Sequence, residues 1–151
     1  MTEIGFYHLT RTPLEHALLK LLEKATAAGK RVVVRTSSDE RLSFLNGALW
    51  TVDAASFLPH GSEKEGNPSQ QPVWLTTDTN NPNDAEVLIL TDSAESTSYE
   101  TYERCLEIFD GNNEVAVTAA RERWKNYSAV DCNLTYWQQT ESGGWKKKTE
   151  Q

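Results

Sequence analysis

The sequence predicts an α/β domain built on a mainly parallel central sheet with right-handed crossovers. Two observations predict it. Short β-branched and aromatic runs alternate along the chain with stretches of helical periodicity, the order that builds a sheet through helical connections. One of those runs, Val32, Val33 and Val34, is continuously apolar, as expected of a strand covered on both faces.

The elements follow in order. "EIGFYHL", residues 3 to 9, reads as a strand, and "TRTP" then turns the chain and puts Pro13 at a first helical position. Leu14, Ala17, Leu18, Leu21, Leu22 and Ala25 recur at spacings of three and four, with Gly29 as the stop, so they predict a helix. "KRVVVRT" completes a first βαβ unit. Ser37, Ser38 and Asp39 offer caps for a helix carrying Leu42, Leu45 and Leu49, and "TVDAASFLPHG" leaves that helix for a turn. Residues 61 to 71, rich in Gly, Ser and Gln, read as a mobile surface loop. "PVWLTT" and "EVLILTD" predict two more strands on either side of the turn-rich "DTNNPND". "CLEIFD", residues 105 to 110, fits a last strand, although "YETYERCLEI" fits a helix equally well. From Asn112 to about Val130 the pattern is helical, with Val115, Ala119, Ala120 and Trp124 available for one side. Gly143, Gly144 and the charged end predict a frayed tail. No internal repeat is visible.

The 151 residues suit a single domain, here residues 1 to 137, with 138 to 151 as a flexible C-terminal tail. Against 22 acidic side chains stand 15 Lys plus Arg, a formal net charge of -7, so any hold on nucleic acid has to be local. Cys105 and Cys132 lie far apart with no metal-ligand spacing, and neither a disulfide framework nor a metal site is expected. The N-terminus is unlike a signal peptide and no apolar run approaches a membrane span, so a cytoplasmic protein is expected. Neither GxxxxGK[ST] nor GxGxxG follows any predicted strand, and "HLTRTP" has no glycine for a phosphate nest. No cofactor is expected.

Few residues suggest catalysis. His8 ends the first predicted strand, where α/β folds often place ligands, but no paired nucleophile accompanies it. His16 falls on a charged helix surface and His60 in a loop. Asp92 closes "LILTD" as an enzyme's acid would, or caps the next turn. An α/β enzyme using His8 and Asp92 on a small or nucleotide-like substrate is one reading. Large apolar groups and charge coincide at two other places. Trp50 and Phe57 frame a segment just outside a predicted helix, either as core or as a partner interface. In "RERWKNY", Arg121, Trp124 and Lys125 share one helix face, and Arg123 and Tyr127 a neighbouring one. A ring flanked by two cations suits the acidic, aromatic-ended tail of another protein. Two other readings stay open: Trp124 packs inward while the cations remain solvated, or the cluster and the terminal lysines bind single-stranded nucleic acid directly.

Beyond these readings the sequence resembles the chi subunit family of the bacterial DNA polymerase III clamp loader. The resemblance rests on the order and spacing of "FYHL" at 6 to 9, "GKRVVV" at 29 to 34, "ALWTVDAASFLPH" at 48 to 60, "VLIL" at 87 to 90, "ARERWKNY" at 120 to 127 and "NL" at 133 and 134. It implies a Rossmann-like three-layer fold without nucleotide chemistry, and a non-enzymatic adaptor. The adaptor would pair with the psi subunit and bind the acidic C-terminal peptide of single-stranded DNA-binding protein during DNA replication. In some relatives an iron-sulfur helicase takes the psi surface. Carried over residue by residue, Trp50 and Phe57 match the psi-facing aromatic pair. Arg121, Trp124 and Lys125 match the peptide site, and Tyr136 falls near the return strand or tail that completes it. Val117 departs from the pattern, since a further lysine is expected one turn before Arg121. Its loss would weaken the electrostatic part of peptide capture or shift it to Arg123 or to lysines 146 to 148.

Overall fold

The computed structural model describes residues 2–51, 58–63, 65–92, 94, 99–130, 132–142 and 144–150. In chain order these form β1 (Glu3–Leu9), α1 (Leu14–Ala27), β2 (Val32–Arg35), α2 (Asp39–Thr51), β3 (His60–Gly61), β4 (Val73–Thr76), β5 (Val87–Leu90), β6 (Arg104–Asp110), α3 (Glu114–Ser128), β7 (Asn133–Gln139) and β8 (Trp145–Glu150). The sheet runs β3-β4-β2-β5-β6-β1-β7-β8, parallel throughout except that β8 pairs antiparallel to β7. The expected α/β, Rossmann-like architecture is present.

Local chemistry sets the helix ends. α1 carries Glu15 in its first turn and Lys24 in its last, signs that complement the helix dipole. It closes with Gly29 at φ 78°, whose N–H donates to Thr26 O while Lys30 N–H donates to Ala25 O, a left-handed cap that favours glycine. The side chain of Asn113 accepts from the N–H groups of Val115 and Ala116 and starts α3.

Alternation along the strands divides the core in two. Tyr7, Leu9, Val32, Val34, Val73, Leu75, Val87, Ile89, Leu106 and Ile108 pack with α1 and α2. Ile4, Phe6, Val33, Leu88, Leu90, Cys105, Phe109 and Leu134 pack with α3. Because β1 lies between β6 and β7, the connection from β6 to β7 carries α3 across β1. That crossing brings the helix onto Phe6, which is fully buried and meets Phe109, Trp124, Tyr127 and Tyr136 at centroid distances of 5.3 to 6.5 Å. The first three pairs are edge-on and the last is stacked, and aromatic pairs of either kind add about 0.5–1.5 kcal/mol each beyond the burial of their area.

One ambiguity is resolved and three expectations are corrected. "CLEIFD" is a strand, β6, as the first of its two readings has it, although β7 and β8 follow it. Its Glu107 breaks the apolar run yet is buried, because α3 supplies Arg123 and Tyr127 above it. Val115 faces solvent rather than the core, since it lies in the first turn of α3. The described residues from Gly61 to Gln71 are tied down where a mobile loop is expected: Glu65 accepts from Ser62 N and Oγ and from Asn46 Nδ2, and Gln71 donates to Gly66 O. The described residues of the tail beyond 137 also pair: Thr140 N–H donates to Gly144 O at 2.8 Å, and β8 returns along β7. Trp145 packs edge-on against Tyr7 at 5.0 Å, and Tyr7 also stacks with Trp137 at 6.3 Å.

Candidate peptide-binding site

α3 and β7 together build an open pocket of about 390 Å³ on the α3 face of the sheet, lined by Phe109, Val117, Ala120, Arg121, Trp124, Lys125 and Tyr136. Arg121, Trp124 and Lys125 lie one turn apart on one side of α3, so their grouping follows from helical spacing. Tyr136 comes from β7. Its ring sits 5.7 Å from Trp124 and 6.2 Å from Phe109, both edge-on, and the three rings form an apolar pocket beneath two cations. Trp124 is half-buried, and it is neither wholly core nor wholly exposed. Its inner edge rests on Phe6 at 5.3 Å.

The cations differ. Arg121 is exposed and, among the described residues, makes no ion pair. Lys125 is exposed and lies 3.6 Å from Glu122, a solvated contact worth about 0–1 kcal/mol at most. Arg123 belongs to the interior: it is 6 % exposed and its Nε donates to Glu107 Oε1 at 2.9 Å, while Tyr127 Oη donates to Glu107 Oε2 at 3.0 Å. Burial, and then the Glu107 charge, pushes the Tyr127 phenol far above its ordinary value. Of the five basic and aromatic residues in "RERWKNY", two therefore hold the fold. Arg123 cannot replace a missing lysine at 117, where Val117 adds apolar wall to the pocket.

His8 stands behind the pocket. Its Nδ1 lies 2.5 Å from Tyr136 Oη and its ring 5.0 Å from Phe109. Burial lowers its pKa, the nearby Arg121 charge lowers it further, and Asp110 opposes both. Burial raises the pKa of Tyr136, with Arg121 opposing. Asp92 is elsewhere. Its carboxylate accepts from Thr36 Oγ1 at 2.8 Å and lies 3.1 Å from Arg41 Nε, at the edge of a cavity of about 740 Å³ over the ends of β1 and β6. His8 does not line that cavity. The two residues of the enzyme reading are not brought to one site. Among the described residues no group of three His, Cys, Asp or Glu is placed to hold a metal, and no helix is long and apolar enough to cross a membrane.

The second predicted patch is partly visible. Trp50 is 55 % exposed near the end of α2 and its ring lies against that of His60, tilted by 38° with centroids 4.1 Å apart. His60 is buried in β3 rather than set in an exposed loop, because its ring nitrogens reach the carbonyls of Leu58 and Asn46. Phe57 lies outside the described residues. Phe44, which the sequence reading did not single out, is 47 % exposed on the same helix under Arg41, at 4.8 Å. Sequence reading also missed Phe109 as pocket wall and Phe6 as support. Period-two alternation in β1 and β6 places both on the α3 face, once β6 is known to be a strand.

Residues 1–135 match the family described as DNA polymerase III chi subunit, HolC. Over 90 residues the chain is 33% identical to a probable DNA polymerase III subunit chi of Rickettsia prowazekii (strain Madrid E), covering 60% of this chain and 54% of that protein. The chain thus spans about half the length of this curated relative. With the family match running from β1 into the start of β7, the chain belongs to the DNA polymerase III chi subunit family.

Proposed function

We propose that this chain is a non-catalytic accessory subunit of the DNA polymerase III holoenzyme. It links the clamp loader, through psi, to the acidic C-terminal peptide of single-stranded DNA-binding protein. Family membership supports the first half of this reading, and the pocket where Arg121, Trp124, Lys125 and Tyr136 meet carries the second. The peptide's terminal aromatic ring enters the pocket beside Trp124 and Tyr136, and its carboxylates approach Arg121 and Lys125. Exposed charge pairs contribute about 0–1 kcal/mol each, so the desolvated ring supplies most of the affinity. The partner side is Trp50, with Phe57, facing psi or, in its place, an iron-sulfur helicase. DNA is reached only indirectly, because the net charge of -7 opposes a bare strand.

Titration of the isolated tail peptide into the protein tests the site. Trp124→Ala is expected to weaken binding at least about thirtyfold, the loss typical of a buried interface ring. Arg121→Ala is expected to weaken it about threefold and to reduce its salt dependence. Affinity unchanged by both substitutions would sink the site assignment.

A further inference from the structure

We infer that the β7–β8 hairpin, which lies almost wholly beyond the family match, extends the peptide site with a further cation, Lys146. The inference rests on the peptide-pocket reading. Its starting point is register. Gln138 stands opposite Lys146 and Trp137 opposite Lys147, and the pairing then shifts so that Tyr136 stands opposite Thr149. Lys148 is the extra residue of that bulge, beside the Tyr136–Trp137 step.

Alternation assigns the faces. Tyr136 packs with the α3 cluster and Trp137 with the α1 cluster, so Gln138 and its partner Lys146 share the face of Tyr136. Lys147 takes the other face, with its Nζ 6.0 Å from the Trp137 ring centroid. Lys148 is the unpaired residue of the bulge, where alternation is interrupted, so the face assignment rests on Lys146. Directly opposed residues hold their Cβ atoms about 4.5–5.5 Å apart and diagonal neighbours about 7–8 Å. A lysine side chain at 146, diagonal to Tyr136, therefore reaches the rim of the Tyr136 ring. Lys146 and Lys148 are exposed, and among the described residues neither has an ion-pair partner.

The pocket is lined by the cations Arg121 and Lys125 from α3, and Lys146 of β8 flanks it beyond β7, on the far side of Tyr136. Charge complementarity selects the occupant: an extended acidic peptide whose terminal ring sits in the pocket and whose preceding carboxylates cross β7 to Lys146.

The test uses the full chain and two synthetic octapeptides ending in phenylalanine, one with aspartates at the preceding positions and one with asparagines there. Lys146→Gln is expected to weaken the aspartate peptide about two- to fivefold, as one exposed charge pair would, and to leave the asparagine peptide unchanged. Trp124→Ala is expected to weaken both peptides. If the lysine variant binds both peptides as the parent does while Trp124→Ala loses both, the extension is overturned and the pocket stands. If Trp124→Ala loses neither, the pocket reading fails and the extension with it. A thymidine oligonucleotide that binds the parent chain as tightly as the aspartate peptide, and loses that binding in the lysine variant, overturns the choice of occupant.

Discussion

Arg123 Nε lies 2.9 Å from Glu107 Oε1, and the two side chains are 6 % and 1 % exposed. A charge closed off from water in this way is held by its partner, so removing one member leaves the other buried alone. Glu107→Gln is expected to cost about 3–5 kcal/mol, read as a fall in the urea midpoint. Arg121→Ala, two residues away on the exposed face, is expected to stay within about 0.5 kcal/mol. Equal losses for the two variants would contradict the division of this helix into a buried, structural face and an exposed one.

Gly111 marks a second constraint. A Cβ there would lie 2.0 Å from His8 Nε2 and 2.5 Å from the backbone oxygen of Leu9, and the Leu9 oxygen cannot move without losing the 2.7 Å bond from Gly111 N–H. Gly111→Ala is expected to cost about 1–3 kcal/mol, the usual range for overpacking, and to displace the His8 ring from Tyr136. Thermal unfolding measures the first effect, and the NMR shift of the His8 ring protons the second.

His8 also gives a pH dependence with a definite sign. Its folded pKa is below the ordinary 6.5, chiefly through burial and then through Arg121, so the unfolded chain binds the proton more readily. The contribution of neutral His8 is complete above pH 6.5 and is lost as the pH falls from 6.5 through the lowered folded value. The expected result is an unfolding midpoint that falls with acidification across that window, with the slope reduced in His8→Gln. An identical slope in the variant would remove His8 as the source.

Trp50 is the exposed counterpart. With more than half of its surface in solvent and one face on His60, Trp50→Ala is expected to cost about 1 kcal/mol or less in stability. The same substitution is expected to abolish co-purification with a co-expressed psi subunit, because central interface rings carry much of the binding energy. A large stability loss with intact co-purification would reassign Trp50 to the core.

Much of this was legible in the chain. The spacing of Leu14, Leu18, Leu21 and Leu22 and the three valines at 32 to 34 report local periodicity, and periodicity survives without tertiary context. Arg121, Trp124 and Lys125 were legible as one face for the same reason. The exposed side of Trp50 was left open between core and interface, since burial of a ring depends on what packs over it. "CLEIFD" stayed ambiguous because Glu107 looks like an error in a buried strand until its partners, sixteen and twenty residues later, are in place.

The sequence alone determined the alternation of strands and helices, the acidic balance of the surface, and the grouping of a ring and two cations on one side of α3. Those properties depend on residues within a few turns or strands of one another. Only the tertiary structure decided that Arg123 and Tyr127 serve Glu107, that Tyr136 and Phe109 complete the pocket, and that lysines 146 to 148 lie on a strand beside it. These juxtapositions follow from α3 crossing β1 and from β8 folding back on β7, and strand order and register are set by long-range packing that no local window contains.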